Sequence, residues 1–202
     1  MHEKMETSND RIEVHPFEPF LFEGAKVLML GTFPPKPERW SMPFYYPNKI
    51  NDMWRVMGLV FFGNKDHFTA DGGKGFRLEA IKCFLKAAGI AMYDTARSVV
   101  RERDNASDKY LRIVEPADIK GMLRDYPSIA TVVTAGEKAA ATAAAELGVM
   151  DPGTGCYVTA DIAGRSVRLY RMPSTSRAYP LALEKKAEAY AEMFEQIGVK
   201  LP

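Results

Sequence analysis

The stretch AKVLMLGTFPP, residues 25–35, joins an apolar run to a glycine and two prolines. Such a run is typical of a strand that is buried on both faces of a parallel sheet. Because proline cannot donate a hydrogen bond to a neighbouring strand, the strand must end near Gly31 and a loop must follow. We therefore expect a central strand whose carboxyl end leads directly into a proline-stiffened loop.

Similar apolar segments recur along the chain and are separated by segments with helical periodicity. The other predicted strands are residues 90–93, 129–134 and 166–171, the last of them in a hairpin with the segment around Val158. The predicted helices are residues 51–62, 77–88, 116–125, 137–147 and 181–197. Strands that alternate with helices predict an α/β fold, and we expect three α/β/α layers with a mainly parallel central sheet.

Composition limits the number of domains and the chemistry. A chain of 202 residues with 47% hydrophobic content predicts one domain, residues 14–202, preceded by a polar, flexible arm at residues 1–13. Two cysteines and three histidines, all scattered, predict neither a disulfide framework nor a metal site, and we expect no cofactor. The sequence shows no signal peptide and no apolar run of membrane-spanning length, so a cytoplasmic monomer without membrane contact is expected.

Four loops follow predicted strands, at residues 31–50, 94–108, 134–137 and 172–180. In a parallel sheet these loops converge where ligands bind. The first loop carries three consecutive aromatics, of which at least one should be free to stack on a planar group, and nearby Asn side chains suited to reading a base edge. The last loop, MPSTSRAYP (residues 172–180), offers hydroxyls and an arginine for phosphate oxygens. Alternatively, the aromatics fill the gap beside the sheet, and the serines cap the last helix.

Together these loops resemble the uracil-DNA glycosylase superfamily, most closely its mismatch-specific and hypoxanthine-type branches. The resemblance spans roughly residues 15–197. Four segments carry it: GTFP (31–34) for the G-x-x-P motif, MPSTSR (172–177) for the x-P-S-x-x-x motif, FYY (44–46) with NDMW (51–54) for the aromatic and N-x-[FM]-W motif, and VVTAGEKA (132–139) for the strand and G-x-x-A motif.

The resemblance implies a monofunctional DNA glycosylase of base excision repair. Such an enzyme hydrolyses the N-glycosidic bond of a flipped deaminated base, uracil or hypoxanthine, and its partner is DNA with a damaged or mismatched base. The implied base-binding residues are Gly31, Thr32, Phe33, Phe44, Tyr45 and Tyr46. The implied DNA-binding residues are Lys49, Pro173, Ser174, Thr175, Ser176 and Arg177.

The catalytic assignment follows from a departure within the first motif. Phe33 stands where many members carry the acid that positions water, so another polar group must take that role. Asn51 is the first candidate because its spacing from Trp54 matches the hypoxanthine-type branch. Asn48 and Asp52 are the second and third.

Several alternatives remain open at this point. Asn51 could simply cap the helix that follows it, and Asp94 could either take part in catalysis or cap. Because Phe33 and Met172 depart from the motifs, the chain could be a weak or inactive member that serves as a nucleic-acid-binding module. The weak net charge of +1 would suit a hydrolase of free nucleosides. The candidates for contacts with the DNA backbone are Lys36, Arg39, Lys49, Arg97, Arg101, Arg103 and Arg177.

Overall fold

The computed structural model describes residues 11–102 and 108–200. In chain order, its strands are β1 (Ile12–Val14), β2 (Val27–Gly31), β3 (Ile90–Asp94), β4 (Ala96–Arg101), β5 (Leu111–Pro116), β6 (Thr131–Ala135), β7 (Tyr157–Ile162) and β8 (Arg165–Met172). The main sheet has the order β3-β2-β6-β8-β7. Neighbours among its first four strands run parallel, and β7 runs antiparallel to β8. The prediction that the four apolar segments are neighbours in one mainly parallel sheet is therefore confirmed.

Five helices accompany this sheet in the part of the chain that is described. They are α1 (Met53–Phe62), α2 (Leu78–Ala88), α3 (Ile119–Asp125), α4 (Glu137–Leu147) and α5 (Leu183–Gln196). Helix α3 begins later than residue 116 because Pro116 still belongs to β5, and because the Asp118 carboxylate accepts the Gly121 N–H at 2.8 Å as a cap. Helix α1 packs against α5, and α3 packs against α4.

A second sheet, of order β1-β4-β5, does not follow from the sequence pattern. Its strands are antiparallel, and β4 lies within the segment predicted as a loop, residues 94–108. Strand β4 buries Val99 and Val100 and leaves Arg97 exposed, so it has the mixed faces of a strand at the domain surface. Residues 12 and 13, assigned to the flexible arm, are instead paired in β1. Residues 103–107 of the predicted loop lie outside the described residues, and so does the candidate Arg103.

The register of the main sheet aligns the carboxyl ends of its parallel strands. Gly31 pairs with Asp94, and Ala135 pairs with Met172. Strands β2 and β3 are buried over their whole length. Strand β2 lies between β3 and β6, and the edge strand β3 is covered by the segment of Phe20, which forms an antiparallel bridge with Met92. The loops after these strands therefore leave from one edge. Across residues 11–102 and 108–200, no helix is both long and apolar enough to cross a bilayer.

Candidate active site

A cavity of about 1120 Å³ lies at this carboxyl edge of the main sheet. Its wall includes the last residues of β2, β3, β6 and β8, namely Gly31, Asp94, Ala135 and Met172. Residues from the predicted loops 31–50, 134–137 and 172–180 also line it. Three of the four predicted loops therefore converge around one space, as expected for a parallel sheet. Of the described residues in the fourth, 94–108, only Asp94 lines the cavity, because residues 96–101 form β4.

Gly31 allows the side chains of Asp94 and Tyr46 to approach the end of β2. A Cβ atom at this position would clash with Asp94 Oδ1 and would lie 3.1 Å from the Tyr46 hydroxyl. The glycine of the first motif is thus required by close packing at the cavity wall. Thr32 and Phe33, which follow it, line the same wall.

The three consecutive aromatics divide between the cavity and the core. Tyr46 lines the cavity, whereas Phe44 and Tyr45 are buried in the main hydrophobic core and lie outside the cavity lining. The Tyr45 hydroxyl donates to the Glu18 carbonyl at 2.7 Å. The expectation that Phe44 and Tyr45 bind a base therefore requires correction, because both rings fill the space beside the sheet. Tyr46 has φ +49°, a conformation that L-residues seldom adopt and that often marks functional sites.

The two asparagines proposed for catalysis both line the cavity. The Asn51 side-chain oxygen accepts the Met53 N–H at 2.9 Å, and the Asn48 oxygen accepts the Ile50 N–H at 3.1 Å. Asn51 therefore holds the first turn of α1 and faces the cavity at the same time. The side-chain oxygens orient both groups, and each side-chain NH₂ group is a donor that a bound molecule can use.

Asp52 does not line the cavity, and its carboxylate is taken up by two cations. Oδ1 lies 3.0 Å from Arg177 Nε, and Oδ2 lies 3.1 Å from Lys186 Nζ. The Lys186 side chain is 1% exposed and also donates to the Ser176 carbonyl. This charge cluster, Asp52–Arg177–Lys186, ties the start of α1 to the last loop. Asp52 therefore has a bracing role, in that it holds the start of α1 to the last loop and to α5; this structural role replaces the predicted catalytic one.

The last loop is joined to the first by its backbone as well. The Asp52 N–H donates to the Thr175 carbonyl at 2.8 Å, and Asn51 pairs with Ser176 in an antiparallel bridge. Pro173, Ser174, Thr175 and Ser176 line the cavity. Arg177 and Lys49 lie outside its lining, and Arg177 donates to the Lys49 carbonyl at 3.2 Å. Since Lys49 is exposed, it can meet a ligand at the surface beside the cavity.

A histidine that the motifs do not include lies behind the wall. His15 Nε2 is 2.8 Å from Asp94 Oδ2, and the side chains are 1% and 9% exposed. The rings of Phe33 and His15 pack edge to face, with a centroid distance of 5.3 Å. No local signal predicts this pair, because 79 residues separate its members in the chain. Lys186 escapes sequence analysis for the same reason: it lies 134 residues from Asp52.

The buried phenols beside this pair are held in their neutral form. Burial raises the pKa of Tyr45, and the nearby Asp94 carboxylate raises it further. Burial and Asp94 raise the pKa of Tyr93 in the same way. Both effects disfavour a phenolate, because its charge would lie in an apolar region next to another anion.

Most of the predicted backbone-binding arginines have partners within the protein. Arg101 is nearly buried; it forms two bonds of 3.0 Å to the Glu13 carboxylate and one to the Pro34 carbonyl. Arg97 pairs with Glu115. Within the described residues, no three His, Cys, Asp or Glu side chains are grouped as metal ligands.

This architecture also occurs in a solved structure. The solution NMR structure of a putative uracil DNA glycosylase from Methanosarcina acetivorans superposes with a TM-score of 0.61 at 20% sequence identity. The match covers 93% of this chain and 99% of that chain. No family model matches the chain, and no curated protein matches it in sequence. At this identity the likeness shows a shared fold.

Proposed function

We propose that the protein is a monofunctional DNA glycosylase that removes a flipped deaminated base, uracil or hypoxanthine, from DNA. The observation that carries the proposal is the cavity itself. It brings Phe33, Tyr46, Asn51 and the hydroxyl-bearing loop 173–176 together at the carboxyl edge of the sheet. The fold shared with a glycosylase-like structure supports the same interpretation.

The aromatic side chains suit the binding of a base. A nucleobase that leaves the stack needs a flat apolar surface and polar groups for its edge. Phe33 and Tyr46 provide rings on the cavity wall, and Asn48 and Asn51 provide amides. The backbone and hydroxyls of Ser174 and Ser176 suit phosphate oxygens on the strand that carries the base.

Asn51 is the group that we propose positions the attacking water. Hydrolysis of an N-glycosidic bond passes through a sugar with oxocarbenium character, so a fixed water on the far face and a stabilised departing base lower the barrier. The Asn51 side-chain oxygen accepts the Met53 N–H, which fixes the side chain at the cavity wall and leaves its NH₂ group as a donor. One well-placed donor is worth about 2.7–4 kcal/mol in such a site.

The wider context of the proposal follows from the contacts of the helices. We propose three layers, with α1 and α5 on one face of the main sheet and α3 and α4 on the other, since each pair packs together. A DNA partner, a cytoplasmic location and a monomeric state remain predictions. So does a single domain over residues 14–202.

Single-turnover excision tests the proposal. Purified protein is incubated with duplexes bearing uracil, hypoxanthine, xanthine or a thymine mismatch, and alkali-labile abasic sites are counted. We expect excision of uracil or hypoxanthine by the wild type. Asn51→Ser should keep the melting temperature, because serine also caps helices well, but should cut excision by about a hundredfold or more.

Asn64→Ser is the matched control for this variant. The Asn64 oxygen also accepts a backbone N–H, that of Asp66, but Asn64 does not line the cavity. It should leave excision unchanged. Lesion binding without any abasic product would favour the nucleic-acid-binding module instead. Full excision by Asn51→Ser and by Asn48→Ser would remove both amides from the mechanism.

A further inference from the structure

Asp94 is a buried carboxylate in the wall of the cavity. It ends β3 and lines the cavity, and its side chain is 9% exposed. The two other carboxylates among the described lining residues lie closer to solvent, since Glu137 is exposed and Glu146 is half-buried. A buried charge without hydrogen-bond donors is costly. Each oxygen of Asp94 is therefore a strong acceptor that needs a donor.

The protein itself supplies the donor for Oδ2. His15 Nε2 lies 2.8 Å from this oxygen, and the His15 side chain is 1% exposed and lies outside the cavity lining. Nδ1 of His15 is held by the Phe17 backbone, 3.1 Å from its nitrogen and 2.9 Å from its carbonyl oxygen. Because a carboxylate can only accept, the proton between the two groups belongs to Nε2, and His15 donates. That donor favours the charged carboxylate and fixes its orientation.

Oδ1 is the oxygen on the cavity side. It packs against Gly31, where a Cβ atom would clash with it, and the Tyr46 hydroxyl is the next neighbour of that position, at 3.1 Å. Gly31, Phe33 and Tyr46 line the cavity together with Asp94. The acceptor therefore lies beside the rings that are proposed to contact a flipped base. A base that occupies this part of the cavity brings its polar edge to a carboxylate oxygen.

We propose that Asp94 Oδ1 accepts the N1–H of a flipped hypoxanthine, so that deaminated purines are the substrate class. This inference rests on the proposed glycosylase function. Deamination of adenine replaces the 6-amino group with a carbonyl and puts a hydrogen on N1, where adenine has a lone pair. A carboxylate carries acceptors alone. It binds the N1–H of hypoxanthine and repels the N1 lone pair of adenine, so Asp94 separates the lesion from its parent base.

The charge of Asp94 also favours a purine over uracil. As the glycosidic bond breaks, its electron pair goes to the base, and negative charge grows there. In hypoxanthine the bond breaks at N9, on the five-membered ring, and the N1–H lies on the far side of the six-membered ring. In uracil the N3–H lies between two carbonyl oxygens that share the growing charge, so the carboxylate faces that charge at close range. Since repulsion weakens with distance, Asp94 opposes the departure of uracil more than that of hypoxanthine.

The bond from His15 explains how guanine is rejected. Guanine also has an N1–H, but it carries a 2-amino group beside it, and these two donors suit the two oxygens of a carboxylate. In this wall Oδ2 is turned to His15, so Oδ1 is left for the cavity. The 2-amino group then loses its water without gaining a carboxylate oxygen. A buried donor without an acceptor is costly, and such groups give enzymes strong discrimination between similar substrates.

Binding to duplexes with non-cleavable 2′-fluoro nucleosides tests the proposal, and three bases serve as probes: hypoxanthine, 1-methylhypoxanthine and unsubstituted purine. The last two lack the N1–H, but the methylated base is larger than hypoxanthine and purine is smaller, so a steric effect would reject only the larger. The wild type should bind hypoxanthine about tenfold to a hundredfold more tightly than either. Equal affinity for hypoxanthine and purine would overturn the proposal, and this comparison needs no variant.

Asp94→Ala should bring the three affinities within about threefold of one another, because the acceptor is lost. The ratios are taken within one protein, so a change in stability does not affect them. Asp118→Ser removes a carboxylate at the cap of α3, outside the cavity lining, and keeps a capping hydroxyl, so it should retain the wild-type ratios. Wild-type ratios in Asp94→Ala would also overturn the proposal.

Single-turnover excision separates this proposal from the glycosylase function. The wild type should excise hypoxanthine faster than uracil, and Asp94→Ala should reduce that preference. Faster excision of uracil would overturn the selection of purines while leaving the glycosylase function standing. A wild type that excises neither base would overturn the glycosylase function, whereas the binding ratios would still decide whether Asp94 binds the N1–H.

Discussion

The packing at the end of β2 requires glycine at position 31. Gly31 has an ordinary backbone conformation, so its importance comes from the space taken by Asp94 Oδ1, with which a Cβ atom at this position would clash. Gly31→Ala should force the Asp94 carboxylate to move, since a Cβ atom would clash with its Oδ1, whereas the next neighbour, the Tyr46 hydroxyl, would lie 3.1 Å away. Overpacking of this kind costs about 1–3 kcal/mol of unfolding free energy. Urea unfolding of the variant beside the wild type measures this loss.

The same substitution should also slow excision, because the displaced carboxylate belongs to the cavity wall. Gly153→Ala is the control: its Cβ would meet only Cys156 Sγ, at an ordinary 3.8 Å. That variant should keep both its stability and its excision rate. If Gly31→Ala unfolds at the wild-type urea concentration and remains fully active, Asp94 is not held against β2 as described.

At the scale of elements, the Asp52–Arg177–Lys186 cluster joins three parts of the chain that are distant in sequence. Lys186 reaches from α5 to the start of α1 and to the Ser176 carbonyl. Lys186→Met should leave Asp52 buried with Arg177 as its remaining charged partner. Removing one member of a buried ion pair costs about 3–5 kcal/mol, and we expect the lower end because Arg177 stays. Thermal and urea unfolding measure the change.

Lys185→Met is the adjacent control. Lys185 is exposed and pairs with Glu188 on the surface of α5, where an ion pair adds little to stability. Its melting temperature should match the wild type. A Lys186→Met variant that is as stable as Lys185→Met would show that the cluster does not hold the last loop to α1.

The elements also show which parts of the fold follow from local pattern. Strands β2, β3 and β6 are predictable because a strand that is buried on both faces is apolar at nearly every position. Strand β8 mixes charged and buried residues and is predictable from its hairpin with β7. The helices α2, α4 and α5 match their predicted bounds within two residues because their periodicity is regular. Strands β4 and β5 escape prediction, since they mix exposed and buried positions without clean alternation and flank a polar run. Strand β1, at three residues, is too short to show a period.

At the scale of the whole molecule, the site depends on contacts that no local pattern contains. Convergence of the motif loops is predictable because parallel strands end at one edge, and that step needs only topology. The division of residues 44–46 between core and cavity depends on the packing of Trp54, whose ring lies 6.4 Å from that of Phe44 and 6.5 Å from that of Tyr46. The His15–Asp94 pair and the bracing role of Asp52 require the folded chain, since each joins positions that are far apart in sequence.

The distribution of charge over the molecule yields the last prediction. The net charge is +1, and Arg97, Arg101 and Arg177 are engaged by carboxylates, so the proposed binding of DNA would depend on a few local cations. Lys49 is exposed on the loop that carries Asn48 and Asn51.

Lys49→Ala should weaken binding to lesion and undamaged duplexes alike, because a phosphate contact carries no sequence information. It should also reduce the slope of log K against log salt by about 0.9, the value for one lost phosphate contact. Lys86→Ala removes the same charge from the last turn of α2, which leads into the amino end of β3 and thus lies at the opposite edge of the sheet, so its slope should stay at the wild-type value. Equal slopes for both variants would place the DNA away from the cavity mouth.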